Sequence, residues 1–361
     1  MRTVLLFLLL FLTTSPIFAI TALQINDKKY RWMDKQISRE FAHFHVTGIT
    51  QDMLNRVCAE KKEHLSRFQV INGKYYGENN ACKKVIETLA SQVTLPDLDC
   101  LYYNSNGPVL ASQLPKSKAP ILAGFKHKSF KNVILYHPPS FEVCENSVRD
   151  WRKVSSKISQ INQSSPWEEK MNILVWRGEM NGFGLQYKRD NWQTVNRGRL
   201  VALTLAFPEL INARFTSINN SNTDDFEYLK NTLPQSEILS FRSQMQHKYQ
   251  ICLPSNCCSS SGTLWKMLSN CLVFIPDSSQ EMWYHKKLIP WRHYIPLKAD
   301  LSDLMKVLHW IQQRDARAKK IALEGSKFAK ENLLPDHLYI YCYKVLLQYA
   351  SHQKFQPKVV Q

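Results

Sequence analysis

Leu288-Ile289-Pro290-Trp291-Arg292-His293-Tyr294-Ile295-Pro296-Leu297-Lys298-Ala299-Asp300-Leu301-Ser302-Asp303-Leu304 is the stretch on which the fold reading turns. It begins as an aromatic turn, continues as a short apolar strand bracketed by Pro290 and Pro296, and ends at a helix start capped by Asp300 or Ser302. Working back from it, a strand runs from Cys271 to Ile275, a helix from Thr263 to Leu268, and another strand from Tyr249 to Leu253. Further back, a strand at Ile173 to Trp176 precedes a helix from about Trp192 to Phe207, stopped by Pro208, and a polar loop from Ser217 to Asp225. This strand–helix–strand alternation predicts a parallel, doubly wound sheet. Downstream, Leu301, Leu304, Leu308 and Ile311 share one helical face, and Ala318, Ile321, Ala322, Gly325, Phe328 and Ala329 share another, with Asp315 as its cap. Asp336 after Pro335 opens a third helix, with Leu338, Tyr341, Cys342, Val345 and Leu346 turned inward.

The half before residue 165 has a different rhythm. From Gln51 to about Ala90 the apolar spacing is helical, with Met53, Leu54, Val57 and Cys58 on one stripe and Val85, Ile86 and Leu89 on another. Strand-like runs follow at Leu98 to Tyr103, Pro120 to Ala123 and Val133 to Tyr136, which predicts a first α/β unit. The polar stretch from Val154 to Ser165, closed by Pro166, reads as the connection between units. At the start, Met1-Arg2-Thr3, the apolar run Val4 to Leu12 and small residues at Ala19 and Ala22 have the shape of a secretory signal peptide. That run falls well short of the ~20 residues needed to span a bilayer. The expected organisation is a signal peptide over 1–22, an N-terminal α/β domain over 23–165, a second α/β domain over 171–350 and a tail over 351–361.

Lys and Arg number 47 against 30 Asp and Glu, a net charge of +17. Such a field favours anionic partners, including nucleotide phosphates, acidic glycans and lipid phosphates at a membrane surface. The sequence carries no RNA-recognition, zinc-finger or basic-zipper signature, and a secreted chain has little access to nucleic acid, so nucleic acid is not expected as a partner. Of the 9 cysteines, Cys58, Cys82, Cys100 and Cys144 precede residue 150 and the rest follow residue 250. In an oxidising compartment the expectation is disulfides within each half and at least one thiol left over.

Three segments carry candidate chemistry. Val175-Trp176-Arg177-Gly178 ends a strand. Ligands of parallel sheets bind beyond the carboxyl ends of strands, an Arg can fork onto phosphate oxygens, and a Gly lets backbone come close. Arg197 opens the following helix, which runs into Pro208-Glu209-Leu210-Ile211-Asn212-Ala213. The second segment, Leu253 to Gly262, brings Ser259, Ser260, Ser261 and Gly262 to a helix entry, a seat for a pyrophosphate. It lacks any Arg or Lys between Lys248 and Lys266. The third, Leu101-Tyr102-Tyr103-Asn104-Ser105-Asn106-Gly107-Pro108, follows a strand of the first half. Transfer to a hydroxyl needs a carboxylate to take its proton; Asn106 is an amide, and Asp97 and Asp99 lie just upstream. Asp97-Leu98-Asp99 is also an Asp-x-Asp, but it sits at a strand start rather than a strand end, so no metal site is expected there.

These segments resemble the family 90 glycosyltransferases, the group of capsule-associated and lipopolysaccharide-modifying transferases and animal protein O-glucosyltransferases. Leu288 to Leu304 is similar to the family's C-terminal hallmark. Trp176-Arg177-Gly178 looks like its aromatic-Arg-Gly, and the helix opened by Arg197 ends in its Pro-x-Leu-x-(Asp/Asn)-Ala pattern. The resemblance covers residues 95 to 350 or so. It implies an α/β fold of two Rossmann-like domains facing a central cleft, the GT-B type, with the acceptor on the first and the nucleotide sugar on the second. It implies an inverting, metal-independent enzyme, without a cofactor, that moves glucose or xylose from a UDP-sugar to a glycan, lipopolysaccharide or protein hydroxyl. The compartment would be the secretory lumen, the periplasm or the exterior. By the same resemblance, Arg177, Gly178, Arg197, Ser259, Ser260, Ser261 and Gly262 hold the donor, with Arg197 on its phosphates. Asn106 occupies the place of the family's base, an Asp, with Asp99 as the alternative. An Arg that the family carries shortly after its Ser is absent. These departures leave a second class open: a secreted, non-catalytic UDP-sugar- or glycan-binding homologue that has lost its general base.

Overall fold

A computed structural model of the protein describes residues 27–104, 111–116, 118–136, 151–181, 186–218, 224–254 and 260–359. The expected signal peptide, 1–22, lies outside the described residues. No helix among the described residues is long and apolar enough to cross a membrane.

The first half contributes helices α1 (Arg31–Phe41), α2 (Gln51–Ala59), α3 (Asn80–Ala90) and α4 (Trp151–Gln163), and strands β1 (Leu65–Ile71), β2 (Lys74–Tyr76), β3 (Leu98–Tyr103), β4 (Ile121–Ala123), β5 (Lys126–His127) and β6 (Val133–Leu135). Its sheet runs β2-β1-β3-β4-β6, with β3, β4 and β6 parallel and β1 antiparallel to both its neighbours. The β1–β2 hairpin corrects the helical reading of Gln51 to Ala90, which holds only for α2 and α3. Asn72 and Gly73 have φ of +50° and +72°. Asn-Gly accepts such angles and matches the twist of a two-residue hairpin, pairing Ile71 with Lys74. The polar stretch expected as a connection is helix α4. Val154, Ile158 and Ile161 fall on one stripe and are buried, and α4 packs on the helix preceding β10.

The second half contributes β7 (Met171–Glu179), α5 (Asn196–Ala206), β8 (Ile211–Ser217), α6 (Phe226–Thr232), α7 (Phe241–Met245), β9 (His247–Ile251), α8 (Ser260–Leu268), β10 (Leu272–Pro276), β11 (Gln280–Glu281), β12 (Ile295–Leu297), α9 (Leu304–Gln312), α10 (Asp315–Asn332) and α11 (Pro335–His352). Its sheet, β12-β10-β9-β7-β8, is parallel throughout. Every residue of β9 is buried, as expected of a strand covered on both faces. The mixed α/β class with parallel strands follows. The helix start after β12 departs from expectation: Asp303, not Asp300 or Ser302, precedes α9, and Asp300 Oδ1 instead accepts from Ser302 N at 3.0 Å.

The chain returns to the first sheet at its end. Helix α11, opened by Pro335 in its first turn, packs against α1, α3 and β3 and buries Tyr339, Tyr341, Cys342, Leu346 and Tyr349. Tyr349 Oη donates to Asp99 O at 2.8 Å, and beyond the helix Gln353 Oε1 accepts from Asp99 N at 3.0 Å. The last helix of the 171–350 segment thus packs with the first sheet. The two sheets also meet through β5 and β11, an antiparallel pair joining the loop after β4 to the loop after β10. Behind that pair Lys126 is buried between Glu40 at 3.4 Å and Glu281 at 3.9 Å. Cys58, Cys82, Cys100, Cys252 and Cys271 are unpaired thiols in this structure, against the expectation of disulfides within each half. Cys144, Cys257 and Cys258 lie outside the described residues.

Candidate functional site

Numbered from β7, the second sheet has the order 2-1-3-4-5, which reverses direction between β7 and β9. In sheets of this order the loops leaving the two strands diverge at such a point, and ligands bind in the crevice beyond the strands' carboxyl ends. Arg197 bridges this point. Its Nη1 donates to Glu179 O at the end of β7, 2.6 Å away, and its Nε donates to Pro254 O beyond β9 at 3.0 Å. Its guanidinium lies 5.5 Å from the Trp176 ring centre. Nη2 makes no hydrogen bond among the described residues. Burial pushes the group down to about 10, so it remains charged at neutral pH. Gly198 fixes this placement: a Cβ there would lie 1.8 Å from Trp192 O, so only Gly lets the start of α5 press on the preceding turn.

Arg177 lies elsewhere. Its Nη1 donates to Trp176 O and Asn212 O, both at 2.8 Å, and Nη2 donates to Asn212 Oδ1 at 2.9 Å. Asn212 is in register with Val175, two positions before Arg177, so the guanidinium folds back from the strand end and clamps β7 to β8. Its Nε is buried without a hydrogen-bond partner among the described residues. Burial first, and Arg214 second, push it down to about 10. Gly178 is required locally, since a Cβ would lie 2.6 Å from the Trp176 indole.

Beside the crevice, at the ends of β9, β10 and β12, is a cavity of about 410 Å³. Thr263 of the first turn of α8 lines it, as do Asp277 just past β10 and Trp291, Tyr294 and Leu297 from the stretch around β12. Lys128, from the loop after β5, reaches it from the first half. Lys128 Nζ donates to Asp277 Oδ1 at 3.1 Å, and this bond holds the Asp277 carboxyl below its ordinary range. His285, packed round with protein atoms though partly exposed, is pushed down to about 4 by burial and by Lys128, and so is neutral at pH 7. Lys266, one turn into α8, is buried with Nζ on Ile251 O at 2.9 Å. Burial lowers its pKa, with Arg197 close enough to add to the effect. Gly262 lies in the first turn of α8, next to Thr263, which is the residue of that turn that lines the cavity. Asn106 and Ser259 lie outside the described residues, as do the side chains of Ser260 and Ser261.

The structure separates Asp99 from this site. It is the second residue of β3, so it stands about 13 Å, four strand residues at ~3.3 Å each, from the carboxyl end at Tyr103. Its carboxylate is fully buried and accepts from Arg67 Nε and Nη2, both at 2.6 Å, and from Gln69 Nε2 at 2.8 Å. Asp97 Oδ1 accepts from Asn72 N at 2.7 Å in the neighbouring turn. Sequence reasoning missed Lys128, Asp277, His285 and Lys266. Asp277 follows the apolar run Leu272–Pro276 directly, and a carboxylate at a parallel strand's end is a signal that was there to be read. Lys128 carries no such signal, because it reaches the cavity only through the β5–β11 pairing.

The second half is thus a parallel α/β sheet with an arginine at its switch point and, beside it, a cavity lined by two ion pairs, Lys128–Asp277 and Lys286–Glu281. A sequence model of Glycosyl transferase family 90 matches residues 28–361, and the chain belongs to that family. It is similar to Protein O-glucosyltransferase 3 of Homo sapiens, 26% identical over 347 residues, which cover 90% of this chain and 63% of that protein. Protein O-glucosyltransferase 2 of Danio rerio is 26% identical over 296 residues, 80% of this chain and 54% of that protein. O-glucosyltransferase rumi of Drosophila melanogaster is 23% identical over 342 residues, 89% of this chain and 77% of that protein. The chain thus spans less than two thirds of the length of the first two.

Proposed function

We propose that the chain is an inverting, metal-independent glycosyltransferase that moves glucose or xylose from a UDP-sugar to a protein hydroxyl in a secretory lumen. Relatives named as protein O-glucosyltransferases favour a protein acceptor over lipopolysaccharide. The observation that carries the reading is Arg197, bridging the ends of β7 and β9 beside a cavity that Lys128 enters from the first half. The contact of the two sheets through Lys128, Asp277 and the β5–β11 pair is what a GT-B-type cleft would need. In the reaction the acceptor oxygen attacks the anomeric carbon, the bond to the diphosphate breaks, and UDP leaves with the electron pair while a base takes the proton. Charge grows on the diphosphate in the transition state. Arg197, the start of α8 and Lys128 supply positive potential there without a divalent ion, and the buried Lys266 adds to it in place of the family's absent Arg.

The binding-only alternative draws support from Asp99, whose carboxylate is committed to Arg67, and from the amide at Asn106. Turnover of UDP-glucose and UDP-xylose by the full chain, with and without chelator, separates the two. The transferase reading expects turnover that survives the chelator. It also expects Arg197→Ala to weaken UDP binding by ~1.5–3 kcal/mol, the worth of a charge-assisted hydrogen bond. Unchanged UDP affinity in a folded Arg197→Ala protein would sink the placement of the donor, and tight UDP binding without turnover would select the binding protein.

A further inference from the structure

The turn that opens the Leu288–Leu304 stretch separates two cavities. Trp291 lines the 410 Å³ cavity and also a groove of about 760 Å³ on its other side. This groove runs between the turn and the first part of α10, where Arg292, Arg317, Lys320 and Glu324 rim it. Trp291 has φ of +62°, a conformation that costs a bulky residue ~1–3 kcal/mol. The surroundings impose it: Trp291 N donates to Tyr294 O at 2.8 Å, and His293 N donates to Ile289 O at 2.9 Å. Gly325 of α10 comes so close to His293 O that a Cβ would sit 2.3 Å away. The indole is therefore held in place while 40% exposed. It meets the Trp310 ring edge-on at 5.5 Å, and Arg314 and Arg317 stack 4.4 and 5.0 Å from the Trp310 centre. Among the described residues that line the groove, one carboxylate, Glu324, is shared with Arg292 at 3.3 Å, against three cations on the rim.

We propose that this groove binds an anionic saccharide, a short glycan carrying sulfate, carboxylate or phosphate groups, alongside the transfer site. A fixed, half-exposed indole offers a flat apolar face to the C–H face of a pyranose. Guanidinium forks match sulfate and carboxylate oxygens, and Lys320 adds a point charge. The volume is that of a small-ligand site, ~300–1,000 Å³, which holds a short glycan and not a nucleic-acid duplex. Because Trp291 is a wall common to both cavities, the bound glycan would lie next to the sugar-transfer position. The inference rests on the transferase reading for that adjacency alone, and direct binding tests it separately.

The experiment is calorimetric titration of the full chain with a sulfated tetrasaccharide and with its unsulfated counterpart. It is repeated on the double variant Arg317→Gln/Lys320→Gln and on a control pair, Lys83→Gln/Lys84→Gln, on α3. The expected result is preference for the sulfated sugar, a loss of ~10-fold or more in the groove variant, and no change in the control or in UDP affinity. Three results would overturn the proposal. The wild-type chain fails to bind the sulfated sugar; both variants lose affinity equally, so that the general positive field is responsible; or a short oligonucleotide competes as well as the glycan does.

Discussion

Asp99→Asn separates a structural carboxylate from a catalytic one. Asp99 is 0% exposed and receives the paired Nε and Nη2 donors of Arg67, whose side chain is 20% exposed. An Asn amide would present one acceptor oxygen and turn its NH2 group towards those donors, leaving a guanidinium partly unpaired in the interior. Breaking a buried pair by removing one partner costs ~3–5 kcal/mol. At ~2 °C per kcal/mol for a large domain, the melting temperature should fall by ~6–10 °C. Turnover, measured well below the variant's melting point and normalised to folded protein, should stay within ~3-fold of wild type, since loss of a general base costs ~10²–10⁴-fold. UDP affinity should not move. A variant that melts with the wild type yet loses turnover ~100-fold or more would refute the argument and make Asp99 the base.

Gly198→Ala places a Cβ 1.8 Å from Trp192 O, so backbone must shift; thermal melting should show a loss of ~1–3 kcal/mol, and calorimetry a weakened UDP affinity through the displaced Arg197. Lys128→Ala removes a half-exposed cation at the cavity mouth, and UDP binding should weaken by ~0.5–1 kcal/mol, more at low salt than at high. His285 and His293 are both pushed down to about 4, chiefly by burial, and each accepts a backbone N–H at Nδ1, from Met282 and Ile289. Unfolded histidine titrates near ~6.5, so between that pH and 4 the unfolded chain binds more protons than the folded one. Their contribution to stability is whole above pH ~6.5 and is lost as the pH falls towards 4, so the melting temperature should drop over that window, and His293→Gln should flatten the drop.

Where side-chain periodicity and strand ends coincide, the sequence is a sufficient guide to this fold. β7, β9, β10 and β12 were each expected within a few residues of where they lie. The apolar runs Ile173–Trp176 and Leu272–Ile275 mark β7 and β10 as strands buried on both faces, whereas β9 is buried throughout although His247, Lys248 and Gln250 interrupt its apolar residues. Two of the misread segments share a cause. In Leu65–Ile71, Ser66, Arg67 and Gln69 interrupt the apolar residues, and Arg67 and Gln69 are there to hold Asp99 rather than to face solvent. In α4 the buried stripe rests on little more than Val154, Ile158 and Ile161, and the polar residues between them conceal it. The docking of α11 on the first sheet was not legible either. Its inward face looks the same whichever core receives it, and only the partners of Tyr349 and Gln353 decide which one does.

The two arginines of the site show the same limit at the scale of single residues. Arg177 lies near the end of β7 and Arg197 in the first turn of α5, the helix after it; both sit beside a glycine, and both are pushed down to about 10 by burial. Their roles diverge through their neighbours. Arg177 has Asn212 two register positions back, an amide oxygen and a carbonyl that together occupy Nη1 and Nη2. Arg197 faces two strand-end carbonyls that occupy only Nε and Nη1. The first arrangement fixes β8 to β7, and the second leaves, among the described residues, a charged N–H edge at the switch point. On the proposed function, a phosphate entering the crevice would meet the arginine on the helix rather than the one on the strand, whatever their spacing in the chain suggests. By the same logic the proposed donor binding would depend on Gly198 rather than Gly178, since Gly198 sets the position of the helix that carries Arg197.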